Sequence, residues 1–387
     1  MIVFVNAISI TEGGGLVVLS QLLKQLIRLR SDVAWHVAVC KRIPELDALD
    51  SRKVTTWVIR GNNRSPLRIT YWYEWELPRL VRKVGADVLF SLTNYVPRRR
   101  ITTPSLLLVQ HAGHFSARFT ELMEQKYPGF FPQLFWRAKT RWVHQSVKCA
   151  SLVTVQTHAL ARAVVEETGV ADGRIIVVPH GTGLNRTGRP HKYPVSGQWR
   201  IGYITKFGVQ KNFLVLFRAI RMLTERGHEI RLVLTLPQDI DEYKWVANDL
   251  LTAGIESCVE NYGEIPHDQV EALYDSLDLF VFPSLCESFG FPMVEAMARG
   301  LPMVVADVPS NREVAGAAAV VFDPNDHEAL GECLEVLMKN SDAYESAASR
   351  SLARATEFSW RAAGEGTMNL LERIAPRNTV CSQVQGT

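Results

Sequence analysis

The feature that most restricts this chain is a repeated alternation of short, wholly apolar runs with longer stretches of helical period. The runs at 2–7, 33–40, 87–92, 105–110, 152–156 and 175–179 are too short for helices. They also lack the apolar–polar alternation of a half-exposed strand, so both of their faces must be covered. A glycine turn and an amphipathic helix over about 16–29 follow the first run. That order predicts a parallel sheet with helices on both sides. The segment 181–198, rich in Gly, Pro, Asn, Ser and basic residues, interrupts the pattern and reads as a linker. The alternation then restarts, with strands at 199–204, 230–236, 258–262, 279–283, 303–306 and 319–322. Helices are predicted between them at about 212–226, 242–253, 267–276 and 292–299, and again from 328 onward.

At 387 residues the chain is too long for one ordinary core. The expected fold is α/β, with two Rossmann-like doubly wound domains over 1–184 and 197–361. A helix at about 362–376 should pack back on the first domain, and the polar tail after Pro376 should fray. Two such domains leave a cleft between the carboxyl ends of their strands, where open α/β sheets bind ligands.

Composition narrows the class. With 47% hydrophobic and 21% charged residues the chain is that of a soluble globular protein. The apolar start, Met1 to Val5, has no basic flank and reads as a buried first strand rather than a signal peptide. No run approaches the ~18 apolar residues of a membrane span. Six cysteines (Cys40, Cys149, Cys258, Cys286, Cys333, Cys381) are scattered without a Cys-x-x-Cys pair, which suits reduced thiols rather than a disulfide frame or a zinc site. Net charge is only +3, yet residues 1–189 carry 26 Lys/Arg against 13 Asp/Glu, a net of +13, and the remainder carries −10. Such asymmetry points to an anionic partner for the first half, with nucleic acid and an anionic membrane as candidates.

The stretch from Leu279 to Gly300 carries the strongest chemical signal. It reads as a buried strand, a turn bearing Glu287, a glycine at 290, and a helix with Pro292 in its first turn and Gly300 at its end. The amides of that turn (Ser288, Phe289, Gly290, Phe291) form an anion site that the helix dipole reinforces. Glu295, about one turn into the helix, is placed to accept two ribose hydroxyls, and Glu287 to hold hydroxyls of a group beyond the phosphates. Two carboxylates around a phosphate-binding turn suit a nucleotide diphosphate-sugar. The plainer reading is one capping glutamate and one solvated one. Across the cleft, Gly14 and Gly15 lie between the first strand and the first helix, where glycine lets backbone approach a phosphate or the acceptor. His111 follows the strand at 105–110 and should point into the cleft. Its neighbour His114 completes a His-x-x-His without a third ligand of matching chemistry, so no metal is expected. Asp239-Ile240-Asp241 is read as N-capping carboxylates of the next helix rather than a metal site. The chain has no Gly-x4-Gly-Lys phosphate loop and no Gly-x-Ser-x-Gly elbow.

The Glu287–Glu295 stretch resembles the Glu-x7-Glu motif of retaining glycosyltransferase family 4, whose fold is GT-B. Agreement continues in Asn261-Tyr262-Gly263, Leu301-Pro302, Ser310-Asn311-Arg312-Glu313, Phe322-Asp323-Pro324 and Phe358-Ser359-Trp360. It is looser in the first half, resting on Gly13-Gly14-Gly15, Val155-Gln156-Thr157 and Val178-Pro179-His180-Gly181. The resemblance implies that Glu295 binds the ribose, that Glu287 and His111 contact the donor sugar, and that Lys211 neutralises the departing diphosphate without a required metal or cofactor. The family's Gly-Arg-Leu opening is here Gly202-Tyr203-Ile204, so one phosphate ligand is missing, and Lys206 is the nearest basic substitute.

The basic half mixes cations with large apolar side chains. Phe130, Phe131, Phe135, Trp136, Arg137, Lys139, Arg141 and Trp142 fall in one segment, with Arg79, Arg82, Lys83 and Arg98–Arg100 in addition. That pattern suits a helix lying in an anionic membrane interface, although a half-buried helix with a solvated face would look similar. No nucleic-acid module is recognisable. The expectation is thus a hexose or deoxyhexose moved, with retention, from a GDP- or UDP-linked donor to a glycan or lipid-linked acceptor. The chain would work in the cytoplasm, peripherally at the inner face of the membrane, in cell-surface polysaccharide synthesis. A nucleotide-sugar epimerase and a non-catalytic nucleotide-sugar-binding subunit are the alternatives.

Overall fold

A computed structural model describes residues 1–376 apart from 12, 48, 50, 51, 60–64, 100, 187, 188, 195 and 196, and leaves out the side chain of His267. Arg100, Cys381 and the tail after Pro376 lie outside the described residues.

The first lobe is built on seven strands: β1 Ile2–Asn6, β2 Ala34–Val39, β3 Val54–Val58, β4 Val88–Ser91, β5 Ser105–Leu108, β6 Leu152–Val155 and β7 Ile175–Val177. They run in the order β3-β2-β1-β4-β5-β6-β7, all parallel. Its helices are α1 Gly13–Leu29, α2 Pro44–Asp47, α3 Pro66–Tyr71, α4 Leu77–Lys83, α5 Ala117–Lys126, α6 Phe130–Cys149 and α7 His158–Thr168. The second lobe has β8 Gln198–Tyr203, β9 Glu229–Leu234, β10 Val259–Asn261, β11 Leu279–Phe282, β12 Met303–Ala306 and β13 Ala319–Phe322, ordered β10-β9-β8-β11-β12-β13 and again parallel. Around it lie α8 Phe213–Glu225, α9 Tyr243–Ala253, α10 His267–Asp275, α11 Phe291–Ala298, α12 Pro309–Ala315, α13 His327–Lys339 and α14 Ser341–Ala355; α15 Trp360–Ile374 closes the chain.

The central strands β1, β4 and β11 are buried on both faces as far as their carboxyl ends, which is why they read as nearly unbroken apolar runs, while β8 is buried on both faces only from Ile201 to Tyr203. Strand order reverses between β1 and β4 and between β8 and β11, so each lobe opens a crevice there. One face of the first sheet is covered by α1 and by α15, whose Trp360, Met368 and Leu371 join that core. The other is covered by α4, α6 and α7. Phe291, at the head of α11, packs against the cores of both lobes.

Three local expectations need correction. Helix α1 begins at Gly13, whose φ is +63°, so Gly14 and Gly15 sit in its first turn rather than in a loop; the turn after β1 is closed earlier, by the Ile10 amide donating to the Ala7 carbonyl at 3.0 Å. Asp239 and Asp241 do not cap α9: its N-cap is Glu242, without a side-chain bond, and backbone bonds from Tyr243 to Ile240 and from Trp245 to Glu242 start the helix. Strand β3 was missing from the apolar series because it is an edge strand whose Thr-rich sequence is only partly covered.

Candidate functional site

The second-lobe wall is assembled from the loop after β8 and the turn after β11. A short 3-10 turn, Val209–Lys211, is tied to the β11 loop by the Leu285 amide donating to the Gln210 carbonyl at 2.9 Å. That brings Lys211 Nζ to 2.6 Å from Glu287 Oε1, a pair separated by 76 positions in sequence. Both side chains are largely buried, at 12% and 15% exposure. The Ser284 hydroxyl donates to the same carboxylate oxygen at 2.6 Å. Asn212 leaves the turn with φ +52°, uncommon for a side-chain-bearing residue, and its Nδ2 holds the Pro324 carbonyl at 2.8 Å. Asn311, fully buried, donates to the Ser284 carbonyl at 3.0 Å and fixes the loop from beneath.

Gly290 has φ +79°, and a Cβ there would stand 2.6 Å from Met293 Cε, so the turn into α11 needs glycine. Among the described residues, the amides of Ser288, Phe289, Gly290 and Phe291 donate to no protein acceptor. They are the orphan donors of a helix start, and an anion is their natural partner. The Phe289 side chain does not face a ligand. It is 1% exposed and packed among His180, Phe291 and Phe358, so only its amide is available. Glu295 lies behind this turn, accepting from the Tyr274 hydroxyl at 2.9 Å. Burial pushes its pKa up to about 7, with the Tyr274 bond opposing. The linker passes close by, since a Cβ on Gly183 would be 2.9 Å from Glu295 Oε1.

On the first-lobe wall, Asn94 (φ +62°) accepts from the amides of Gln110 and His111 at 2.6 and 3.3 Å, and so sets where the chain turns after β5. The His111 ring keeps an open edge toward the interlobe gap while touching His114, Phe119 and Trp136, at centroid distances of 4.9, 5.2 and 6.1 Å. Desolvation in that gap, then the neighbouring Lys139, push its pKa down to about 4; Glu287 across the gap opposes and Lys211 adds. The ring is therefore neutral at pH 7, with one donor and one acceptor nitrogen. His114 is buried, stacked on Trp136, with Nδ1 3.0 Å from the Thr140 hydroxyl.

The structure thus gathers Lys211, Glu287, His111 and the α11 turn around one gap. Gly14 joins them: a Cβ on it would lie 3.2 Å from Phe291 Cδ2, across the lobes. A side chain at Gly15 would instead face Ile10 of its own lobe. Lys206 is exposed and paired with Glu264 at 2.9 Å, so it already has a carboxylate to neutralise. Sequence reasoning gave no role to Ser284, Tyr274, Asn94 and Thr157, whose hydroxyl donates to the Ser288 carbonyl at 3.2 Å. His180, quoted within a motif but given no role, is 3% exposed and stacked between Phe291 and Trp360 at 5.7 and 5.3 Å. Only Thr157 carried a local signal, as a threonine between a strand and a helix.

Comparison with known proteins bears on the family and the fold. The family model Glycosyltransferase Family 4 matches residues 12–186, and Glycosyl transferases group 1 matches 189–353. O-antigen chain mannosyltransferase B of Escherichia coli is 31% identical over 183 residues, 46% of this chain and about half (47%) of that protein's length. Mannosylfructose-phosphate synthase of Agrobacterium fabrum (strain C58) is 25% identical over 397 aligned positions, 93% of this chain and 86% of that one. The solved structure of HepE from Anabaena in complex with UDP-glucose shares the fold, with a TM-score of 0.70 at 15% identity over 96% of this chain and 100% of that one. With both lobes matched and two facing parallel-sheet domains around the gap, the chain belongs to glycosyltransferase family 4 and has the GT-B fold.

Proposed function

We propose that this protein moves a hexose or deoxyhexose, mannose first among them, from a GDP- or UDP-linked donor to a hydroxyl of a glycan or lipid-linked acceptor. The reaction retains anomeric configuration, needs no metal or cofactor, and serves the synthesis of cell-surface polysaccharide. The observation that carries this reading is the Lys211–Glu287 contact at 2.6 Å beside the unpartnered amides of α11, with His111 facing it. The mannosyl and O-antigen names of the relatives support the sugar and the setting.

In this reading the diphosphate lies on the amides of Ser288–Phe291 with Lys211 beside it, and Glu295 holds the ribose. As the bond from the anomeric carbon to phosphate breaks, charge grows on the departing oxygen. A lysine already in place stabilises it without reorganisation, a role whose loss typically costs ~10²–10³ in rate. Lys211 meets the need that a divalent ion fills elsewhere, which supports metal independence. The acceptor hydroxyl attacks from the leaving-group side, its proton passing to the diphosphate oxygen that departs with the electron pair. Neutral His111 donates a hydrogen bond to a sugar hydroxyl. Retention is supported by the family. Closure of the lobes excludes water and aligns the reacting atoms.

The first lobe offers a surface suited to an anionic membrane. The start of α6 presents Phe130 and Phe131 at 72% and 79% exposure, followed by Leu134 and Phe135, with Arg137, Arg141 and Lys148 further along. Apolar side chains at one end and cations along the rest match an interfacial helix, which supports a peripheral position at the cytoplasmic leaflet. No described helix is long and apolar enough to cross a membrane.

The test is a panel of UDP- and GDP-sugars with and without acceptor glycans, with and without EDTA, the product anomer read by NMR. Transfer with retention, unaffected by EDTA, is expected. A new nucleotide sugar formed without any acceptor would replace the transferase reading by an epimerase.

A further inference from the structure

Away from the gap, the two lobes meet at the amino end of α7, and this contact has a built form. Thr157 is the N-cap of α7 and accepts from the Leu160 amide at 3.2 Å. The same hydroxyl donates across the lobes to the Ser288 carbonyl at 3.2 Å. Thr157 is 1% exposed, so neither bond competes with bulk water. One residue further on, the carboxylate of Glu313, from α12 of the second lobe, takes the His158 amide at 2.6 Å and the Ala159 amide at 2.8 Å. A carboxylate receiving two amides at the positive end of a helix is among the stronger polar contacts available to a protein.

Both bonds bear on the donor site. The peptide between Ser288 and Phe289 is planar, so holding its carbonyl also fixes the direction of the Phe289 amide. That amide belongs to the turn that receives the diphosphate in the reading above. Glu313 follows Asn311 on α12, and Asn311 anchors the Ser284 carbonyl at 3.0 Å, four positions before Ser288. The α7 end therefore grips the Glu287 loop at Ser288, and grips its support at Glu313.

We propose that Thr157 and Glu313 are positioning residues: the seating of α7 between Ser288 and Glu313 sets the amide turn for the donor diphosphate, making lobe closure and diphosphate binding one event. This rests on the donor-site reading. It assigns to two side chains outside the gap an effect on the diphosphate alone, since the nucleoside is held by Glu295 within the second lobe.

The experiment compares Thr157→Val and Glu313→Gln with wild type, measuring affinity for UDP and GDP by calorimetry and for uridine and guanosine by saturation-transfer NMR. Valine keeps the shape of threonine without its hydroxyl, and glutamine keeps the length of glutamate without its charge. Whichever diphosphate the wild type binds should bind about tenfold more weakly to each variant. The matching nucleoside should bind within about twofold of wild type. Thr157→Ser, which restores the hydroxyl, should return the diphosphate affinity. A merely structural role would weaken diphosphate and nucleoside together, and that result overturns the proposal, as do variants that bind the diphosphate like wild type. If wild type binds neither UDP nor GDP, the donor site itself is misassigned and this inference falls with it.

Discussion

Replacing Lys211 by methionine removes the ammonium but keeps most of the stem, and its cost can be worked from the pair it breaks. At 2.6 Å, with an effective dielectric of about 20, the gross attraction to Glu287 is about 6 kcal/mol. Much of this offsets the desolvation of two charges held at 12% and 15% exposure. Removing one partner leaves that desolvation uncompensated, at about 3–5 kcal/mol for a fully buried pair. Here the Ser284 bond and the residual exposure lower the expectation to about 2–3 kcal/mol. Glu287→Gln added to Lys211→Met removes the stranded charge, so the double variant should recover most of that loss. Activity should behave oppositely. Each single change is expected to lower turnover by ~10²–10³, and the double variant should recover nothing. Stability is read by urea unfolding followed through tryptophan fluorescence, and turnover by release of the nucleoside diphosphate. Two results refute the reasoning. One is a Lys211→Met variant as stable as wild type; the other is a double variant that regains turnover along with stability.

Glu295 makes the site pH-dependent, because its pKa stands at about 7 instead of the ordinary 4.5. Between those values the folded chain holds a proton that the unfolded chain has released, so stability should fall as pH rises through the window and level off above about 7. Donor KM should rise on the acid side, where a protonated carboxyl accepts ribose hydroxyls poorly; Glu295→Gln should flatten both profiles, as read by melting and initial rates. Gly14→Ala should stabilise α1 by up to about 1 kcal/mol through helix propensity while lowering kcat/KM, since the new methyl must push Phe291 from 3.2 Å; an equally active variant would remove Gly14 from the closing surface. Changing Phe130 and Phe131 together to serine should release the protein from anionic vesicles in a sedimentation assay without altering transfer to a soluble acceptor, and unchanged sedimentation would dismiss α6 as the membrane contact.

The doubly wound plan was legible because its evidence is local. Strands buried on both faces, such as β1 and β11, leave apolar runs that admit few alternatives, and turn residues such as Gly290 declare a backbone conformation that other residues resist. Where burial is partial the signal fails. Edge strand β3 has an incompletely covered face, and α3 and α4 are joined through a wide π turn at Trp72–Glu76 that breaks the helical period between them. Gly14 and Gly15 read as loop residues because glycine is a poor helix former. Its helical placement here follows from the close approach of Phe291, which no sequence window contains.

The site divides along the same line. Glu287, Gly290 and Glu295 lie within one strand–turn–helix unit, so their relation is set by spacing. Lys211 is 76 positions from its partner, and tertiary bonds such as that from the Leu285 amide to the Gln210 carbonyl bring it there. The residues whose roles no sequence window assigns depend on distant partners: Asn94 aims the His111 segment, Thr157 and Glu313 seat α7, and His180 fills the space between Phe291 and Trp360. His180 is the sharpest case. Among the described residues neither of its buried ring nitrogens has a partner, and burial pushes its pKa down to about 3. An unpaired buried donor of this kind costs about 1–3 kcal/mol, so the packing of His180 between Phe291 and Trp360 carries a polar penalty that its ring contacts must outweigh.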